Sequence, residues 1–294
     1  MPPTSATIRV GPAGWSYDDW VGPVYPVPRP RGFDPLAYLA RYVDTVEVNS
    51  TFYRPATAAA ARGWVARVAD HERFRFTAKL WQRFTHEQAA GAWTTDEVRE
   101  ARLAPDALAA EGRLGALLVQ FPWRFKRTPE NREWLGDLVA AFGELPLVVE
   151  VRHDSWLVPG FYDSLAERGV GFVNIDQPLF GRSVRPSATT TARVGYVRVH
   201  GRNAKDWFRA DAGVNERYDY LYSAEELAPW VERTREIAAE ADEVYVVTNN
   251  HYRGQAMVNA VMARSLLAGH PVPAPPPLLA AYPEALAPYA APAP

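Results

Sequence analysis

Residues 45–55 read TVEVNSTFYRP, and this stretch decides the fold. Val46 and Val48 alternate with Glu47 and Asn49, a period of two that sets the valines on one strand face and the polar groups on the other. Four further segments repeat branched apolar residues that end in polar groups: FRFTAK to Lys79, LVVEVRHDSW to Trp156, GYVRVHGRN to Asn203 and VYVVTNNH to His251. A closed parallel barrel accounts for all five. Helices cover its outer face, core residues fill the inside, and the last inward side chains ring one mouth. The expected fold class is therefore α/β, a TIM (β/α)8-like parallel barrel in a single domain.

Working outward, strands are expected at Ile8 to Gly11, Thr45 onward, Phe74 to Lys79, Gly115 to Phe121, Leu147 to Arg152, Gly171 to Asp176, Gly195 to His200 and Glu243 to Asn249. Helix starts show between them. Asp34 before Pro35, Thr128 before Pro129 and the Ser223/Glu226 capping box each mark an N-terminus. A helix near Asp96 to Glu111 should kink or break at Pro105. The barrel domain is expected over residues 1–270. The Pro/Ala-rich tail, residues 271–294, should be extended, wrapping the surface or disordered.

Composition narrows the function. The 294 residues, 48% hydrophobic, can bury a barrel-sized core. A formal net charge of -2 gives no general argument for nucleic acid or membrane partners. With no cysteines, disulfides, thiolate metal sites and cysteine nucleophiles are excluded. The start MPPTSATIRV lacks the features of a signal peptide, and no apolar run reaches the ~18 residues of a membrane span. A cytoplasmic protein is expected.

GPAGWSYDDWVGPVYP, VEVNSTFYRP, FRFTAKLWQRFTH, LVQFPWRF, VVEVRHDSW, VHGRN and VTNNH, in this order, resemble the YecE-like family known as domain of unknown function 72. The resemblance spans about Ile8 to Leu267 and implies a TIM-barrel-like fold. It implies no particular reaction, so the chemistry is argued from the residues.

Alternation sets Glu47 with Asn49, Glu150 with Arg152 and Arg198 with His200 on common faces, while Lys79, Gln120, Asp176 and Asn249 end their own strands. The candidate catalytic residues are Glu47, Lys79, Glu150 and His200. Either glutamate would be the general base, with Lys79 and His200 as electrophile or acid. Trp15, Tyr17, Asn49, Gln120, Arg152, Trp156, Asp176, Arg202, Asn203 and Asn249 are the candidate substrate contacts. Arg182, Arg185, Arg202, Lys205 and Arg209 bring basic groups to the loops after strands six and seven, suited to phosphate or carboxylate capture. An enzyme for a phosphate-bearing or otherwise anionic substrate leads. Nucleic acid is one version of it, with Trp15, Tyr17, Trp156 and Trp207 stacking on bases.

Two alternatives stand beside this reading. Glu47 and Glu150 could be a glycosidase pair, retaining at ~5 to 5.5 Å or inverting at roughly 6.5 to 9.5 Å. The mouth could instead capture an anionic ligand without turnover. Purely structurally, the same residues would form a self-satisfied ring, Glu47 with Lys79 and Glu150 with Arg152 or Arg198. No cofactor is expected. Glu150, Asp176 and His200 are the ligand set a divalent metal would use, but no HxH or HExxH spacing supports it.

Overall fold

Eight parallel strands form one sheet in the computed structural model of this chain, which describes residues 6–204 and 218–292. They are β1 (Thr7–Pro12), β2 (Thr45–Val48), β3 (Arg75–Lys79), β4 (Leu114–Gln120), β5 (Leu147–Glu150), β6 (Gly171–Asp176), β7 (Val194–Val199) and β8 (Glu243–Thr248). The hydrogen-bonded order β1-β8-β7-β6-β5-β4-β3-β2 leaves only β1 and β2 unjoined. These edges nearly close: Ala13 bridges Glu47, and the Gly14 N–H donates to the Glu47 carbonyl at 2.8 Å. A backbone this close leaves no room for a side chain on the inner strand. A Cβ on Gly11 would lie 1.8 Å from the Thr45 carbonyl oxygen.

Register fixes which side chains face the barrel axis. Tyr196 and Arg198 of β7 reach across the barrel to Glu47 of β2 and therefore point inward. Their β6 partners Val173 and Ile175 share that face, which turns Asn174 and Asp176 outward. The register shifts between Phe76 and Thr77 of β3, leaving Gly115 as an extra residue on β4. A Cβ there would lie 2.3 Å from the Tyr245 ring, so glycine gives that buried ring its space.

The helices begin where the sequence marks them. Asp34 caps α1 (Pro35–Ala40), Thr57 caps α2 (Ala58–Arg67), and complete capping boxes start α3 (Thr95–Ala110) and α6 (Ala224–Glu240). Between the latter two, α4 (Pro129–Phe142) and α5 (Pro159–Glu167) start on proline, and α7 (Gln255–Ala268) follows β8. Pro105 lies within α3 without ending it. No helix crosses between β6 and β7; residues 177–193 cross as a loop.

The tail differs from the extended segment expected. Val272–Pro273 pairs with Ala290–Ala291 around two short helices, Pro276–Ala281 and Pro283–Leu286. Each begins with proline, and their Leu278 and Leu286 are fully buried. Burial of leucine at regular intervals outweighs the extended bias of the prolines. No helix among the described residues is long and apolar enough to cross a membrane.

The β1–β2 approach is testable. Gly11→Val should destabilise the fold by at least ~3 kcal/mol, because only backbone movement relieves that contact. Gly63→Ala, in α2 with nothing within 4 Å of the added Cβ, should instead stabilise by about 0.5–1 kcal/mol. Equal effects of the two variants in denaturant unfolding would refute the closure argument.

Candidate functional site at the barrel mouth

Glu47, Lys79, Gln120, Glu150, Asp176, His200 and Asn249 all stand at the carboxyl ends of their strands. At the centre is Arg198, 1% exposed. Its Nη2 and Nε donate to the two oxygens of Glu47 at 2.7 and 2.9 Å, and its Nη1 to Glu150 Oε2 at 2.6 Å. Arg152 closes the other side, with Nη2 2.8 Å and Nε 2.9 Å from Glu150 Oε1. Two carboxylates therefore meet two guanidiniums. Such pairing is what allows four charges to persist under a barrel mouth.

Burial alone would raise the Glu150 carboxyl, but Arg198 and Arg152 hold it well below the usual carboxylate range. The same two glutamates raise Arg198 against its burial. His200 lies 3.2 Å from Glu150 through Nε2 and 3.0 Å from Asn249 Nδ2 through Nδ1. The amide donates to Nδ1, which puts the imidazole proton on Nε2, facing Glu150. Burial, outweighing Glu150, lowers the ring to about 3, so His200 is neutral at pH 7.

Above this layer opens a cavity of about 600 Å³. Lys79, His86, Gln120, Trp123, Arg124, Arg152 and Gln177 line it, and among the described residues its lining includes no carboxylate. Lys79 Nζ donates to Gln120 Oε1 at 2.9 Å and lies 4.0 Å from the Phe52 ring centroid. Burial, and then the nearby Arg198, lower its amine to about 7 despite Glu47 and Glu150. His86 is likewise lowered to about 3 by burial and by Lys79. Among the described residues, two buried donors of lining side chains, Trp123 Nε1 and Gln177 Nε2, have no hydrogen-bond partner. Buried donors are normally satisfied, and these two stand in the wall of one cavity.

Several expected contacts lie elsewhere. Trp156 is 1% exposed, stacks on Phe125 and donates to its carbonyl at 2.8 Å; it is core, not a stacking platform. Asp176 points outward, where Arg202 binds it at 2.9 Å, and burial raises its carboxyl in spite of that arginine. Arg202 also reaches Glu226 at 3.3 Å, and Arg182 chelates Asp154 at the surface. The basic loops after β6 and β7 thus each spend a charge on acids, while Arg185 is exposed. Asn203 follows Arg202 on the turn after β7, half-buried. Lys205, Trp207 and Arg209 lie outside the described residues.

Trp15, Tyr17 and Asn49 come together, but around a separate cavity of about 220 Å³ beside β1 and β2. Tyr17 stacks on His251 with centroids 4.6 Å apart and donates to the Ala13 carbonyl. Glu47 pairs with Arg198 rather than Lys79, and Glu150 closes on Arg152 although the two are successive inward residues. The long guanidinium arm spans what the backbone spacing leaves open. Among the described residues, no group of three or more His, Asp or Glu side chains is arranged to hold a metal. Glu150 and Asp176, the acids of the expected ligand set, face opposite sides of the barrel wall.

His86, Trp123, Arg124 and Gln177 were missed as site residues. All four lie beyond their strands, where period-two alternation carries no information. The aromatic and basic density of KLWQRFTH and FPWRF was the available signal.

The family described as Protein of unknown function DUF72 matches residues 9–280. UPF0759 protein YunF of Bacillus subtilis is 28% identical over 273 residues, 88% of this chain and 94% of its own length. A DUF72 family protein of Thermotoga maritima, solved by crystallography, is 34% identical with a TM-score of 0.76, over 89% of this chain and 99% of that one. A DUF72 family protein of Enterococcus faecalis is 26% identical with a TM-score of 0.76, over 89% and 96%.

Two outcomes follow from these contacts. Arg198→Met strands the buried Glu47 carboxylate and leaves Glu150 with Arg152 alone, and should cost about 3–5 kcal/mol in denaturant unfolding. Lys79 is the opposite case. Its amine is lowered from 10.5 unfolded to about 7 folded, so stability rises with pH across that window and the full burial penalty is felt below it. Lys79→Met should therefore raise the melting temperature at pH ~6, and the gain should shrink by pH ~10. A gain that does not vary with pH would contradict the lowered amine.

Proposed function

The chain belongs to the DUF72 family of proteins of unknown function, and from that premise we propose that it is an enzyme acting on a small phosphate-bearing or otherwise anionic substrate at the barrel mouth. The observation that carries this reading is the cavity lining among the described residues: Lys79, Arg124 and Arg152 with no carboxylate, beside the unpartnered donors of Trp123 and Gln177. Active sites of parallel barrels lie at this end. Arg124 and Arg152 supply the fork geometry that suits phosphate and carboxylate oxygens. Trp123 and Gln177 orient the bound anion.

The same geometry redistributes the roles. Glu47 and Glu150 are counter-charges that hold Arg198 and Arg152 in place, and neither lines the cavity. This weighs against a glycosidase pair, whose carboxylates must reach the sugar. His200 is a positioning residue: its Nε2 lies 3.2 Å from Glu150 Oε1 and so helps to fix the carboxylate that orients Arg152. Lys79, with an amine near neutrality, exchanges a proton with substrate. The nucleic-acid version loses Trp156, which is core.

Gln177→Leu removes an unpartnered buried donor without disturbing a pair. It should weaken binding of inorganic phosphate or pyrophosphate about tenfold by calorimetry, the scale of one hydrogen bond to a charged group. Arg202→Gln, at the outward ion pair, should change the affinity by less than about twofold. The reverse ranking would move the anion site to the loop after β7 and overturn this reading.

A further inference from the structure

Of the 32 basic residues in this chain, three are lysines: Lys79, Lys126 and Lys205. The other 29 are arginines. A guanidinium stays charged and is a poor nucleophile, whereas an amine can lose its proton and attack carbon. Lysine at position 79 is therefore a chemical choice in a chain that otherwise avoids it.

The surroundings of Lys79 agree. Among the described residues it makes no ion pair, because Arg198 and Arg152 take up both carboxylates beneath it. Gln120 Oε1, 2.9 Å from Nζ, and the Phe52 ring hold the amine without supplying a formal negative charge. The amine lines the cavity that also presents Arg124, Arg152 and the unpartnered donors. A nucleophile thus stands beside an anion receptor.

We propose that Lys79 is a nucleophile that condenses with the aldehyde or ketone carbon of an anionic substrate to form an imine. The inference rests on the anionic-substrate reading above. Nζ attacks the carbonyl carbon and its displaced proton passes to the carbonyl oxygen, giving a carbinolamine. The hydroxyl then leaves as water with one further proton from solvent, and the nitrogen remains as a protonated imine. No redox partner is needed. A lysine lowered to about 7 is about half free amine at neutral pH, as the first step demands. Arg124 and Arg152 hold the phosphate or carboxylate of the substrate, and Gln120 keeps Nζ at the cavity wall.

Pyridoxal phosphate, an anionic aldehyde, is the probe. Incubation of the full-length protein followed by borohydride reduction should label the peptide carrying Lys79, as read by mass spectrometry. Labelling of the exposed Lys126 should be at least about tenfold slower. Pyridoxal without its phosphate should also label Lys79 about tenfold more slowly, and the rate should fall as pH drops below about 7. Lys79→Met should abolish the label while the thermal transition persists. The alcohol pyridoxine phosphate, which cannot form an imine, separates the two ideas by calorimetry. If it binds but the aldehyde leaves Lys79 unlabelled, or labels Lys126 equally, the imine falls and the anion site stands. Equal labelling by pyridoxal and its phosphate, or neither binding nor labelling, overturns both.

Discussion

Arg198 lies between two carboxylates that strands on opposite sides of the barrel bring to one level. Its single guanidinium satisfies Glu47 through two nitrogens and Glu150 through a third, so the middle of the mouth is tied across the barrel from β7 to β2 and β5. Lysine could not replace it there, since a point charge has no fork to share between two acids. The rest of the site depends on this tie. With the acids occupied, burial and then Arg198 lower the amine of Lys79, and burial keeps His200 neutral against the pull of Glu150.

The charges are consequently layered. Acids and their arginines form a buried floor of balanced charge, and among the described residues the surface above it carries donors and cations without acids. A floor of this kind is rigid, because moving one member exposes a buried charge in another. Rigid support beneath an open cavity is what precise placement of a bound anion requires. Arg152 belongs to both layers, binding Glu150 while lining the cavity, so the floor sets the direction in which the receptor points.

Much of this was legible in the residues. Strand positions came from branched alternation, because a barrel strand covered on both faces permits little else, and helix starts came from caps such as Ser223/Glu226 and Thr128/Pro129. The clustering of Glu47, Lys79, Gln120, Glu150, His200 and Asn249 at one end followed from their positions at strand ends. What failed has a common cause. Trp156, Arg182 and Arg202 follow their strands on connecting segments whose course no periodicity sets, and Asp176 was read as inward because parity within one strand does not say which of its faces meets the axis. The tail misled through its prolines, which begin short helices as readily as they extend a chain.

By itself, then, the sequence determined an eight-stranded barrel, its approximate boundaries and the end at which polar groups gather. Each of these rests on local chemistry: side-chain branching, alternation and capping act over a few neighbouring residues. Only the tertiary structure decided that Arg198 would bind both glutamates, that Lys79 would make no ion pair among the described residues, and that Trp123 and Gln177 would stand in the wall of the same cavity. Those outcomes join residues up to 151 positions apart. They depend on barrel register and on the reach of each side chain across the axis, which no window of sequence contains.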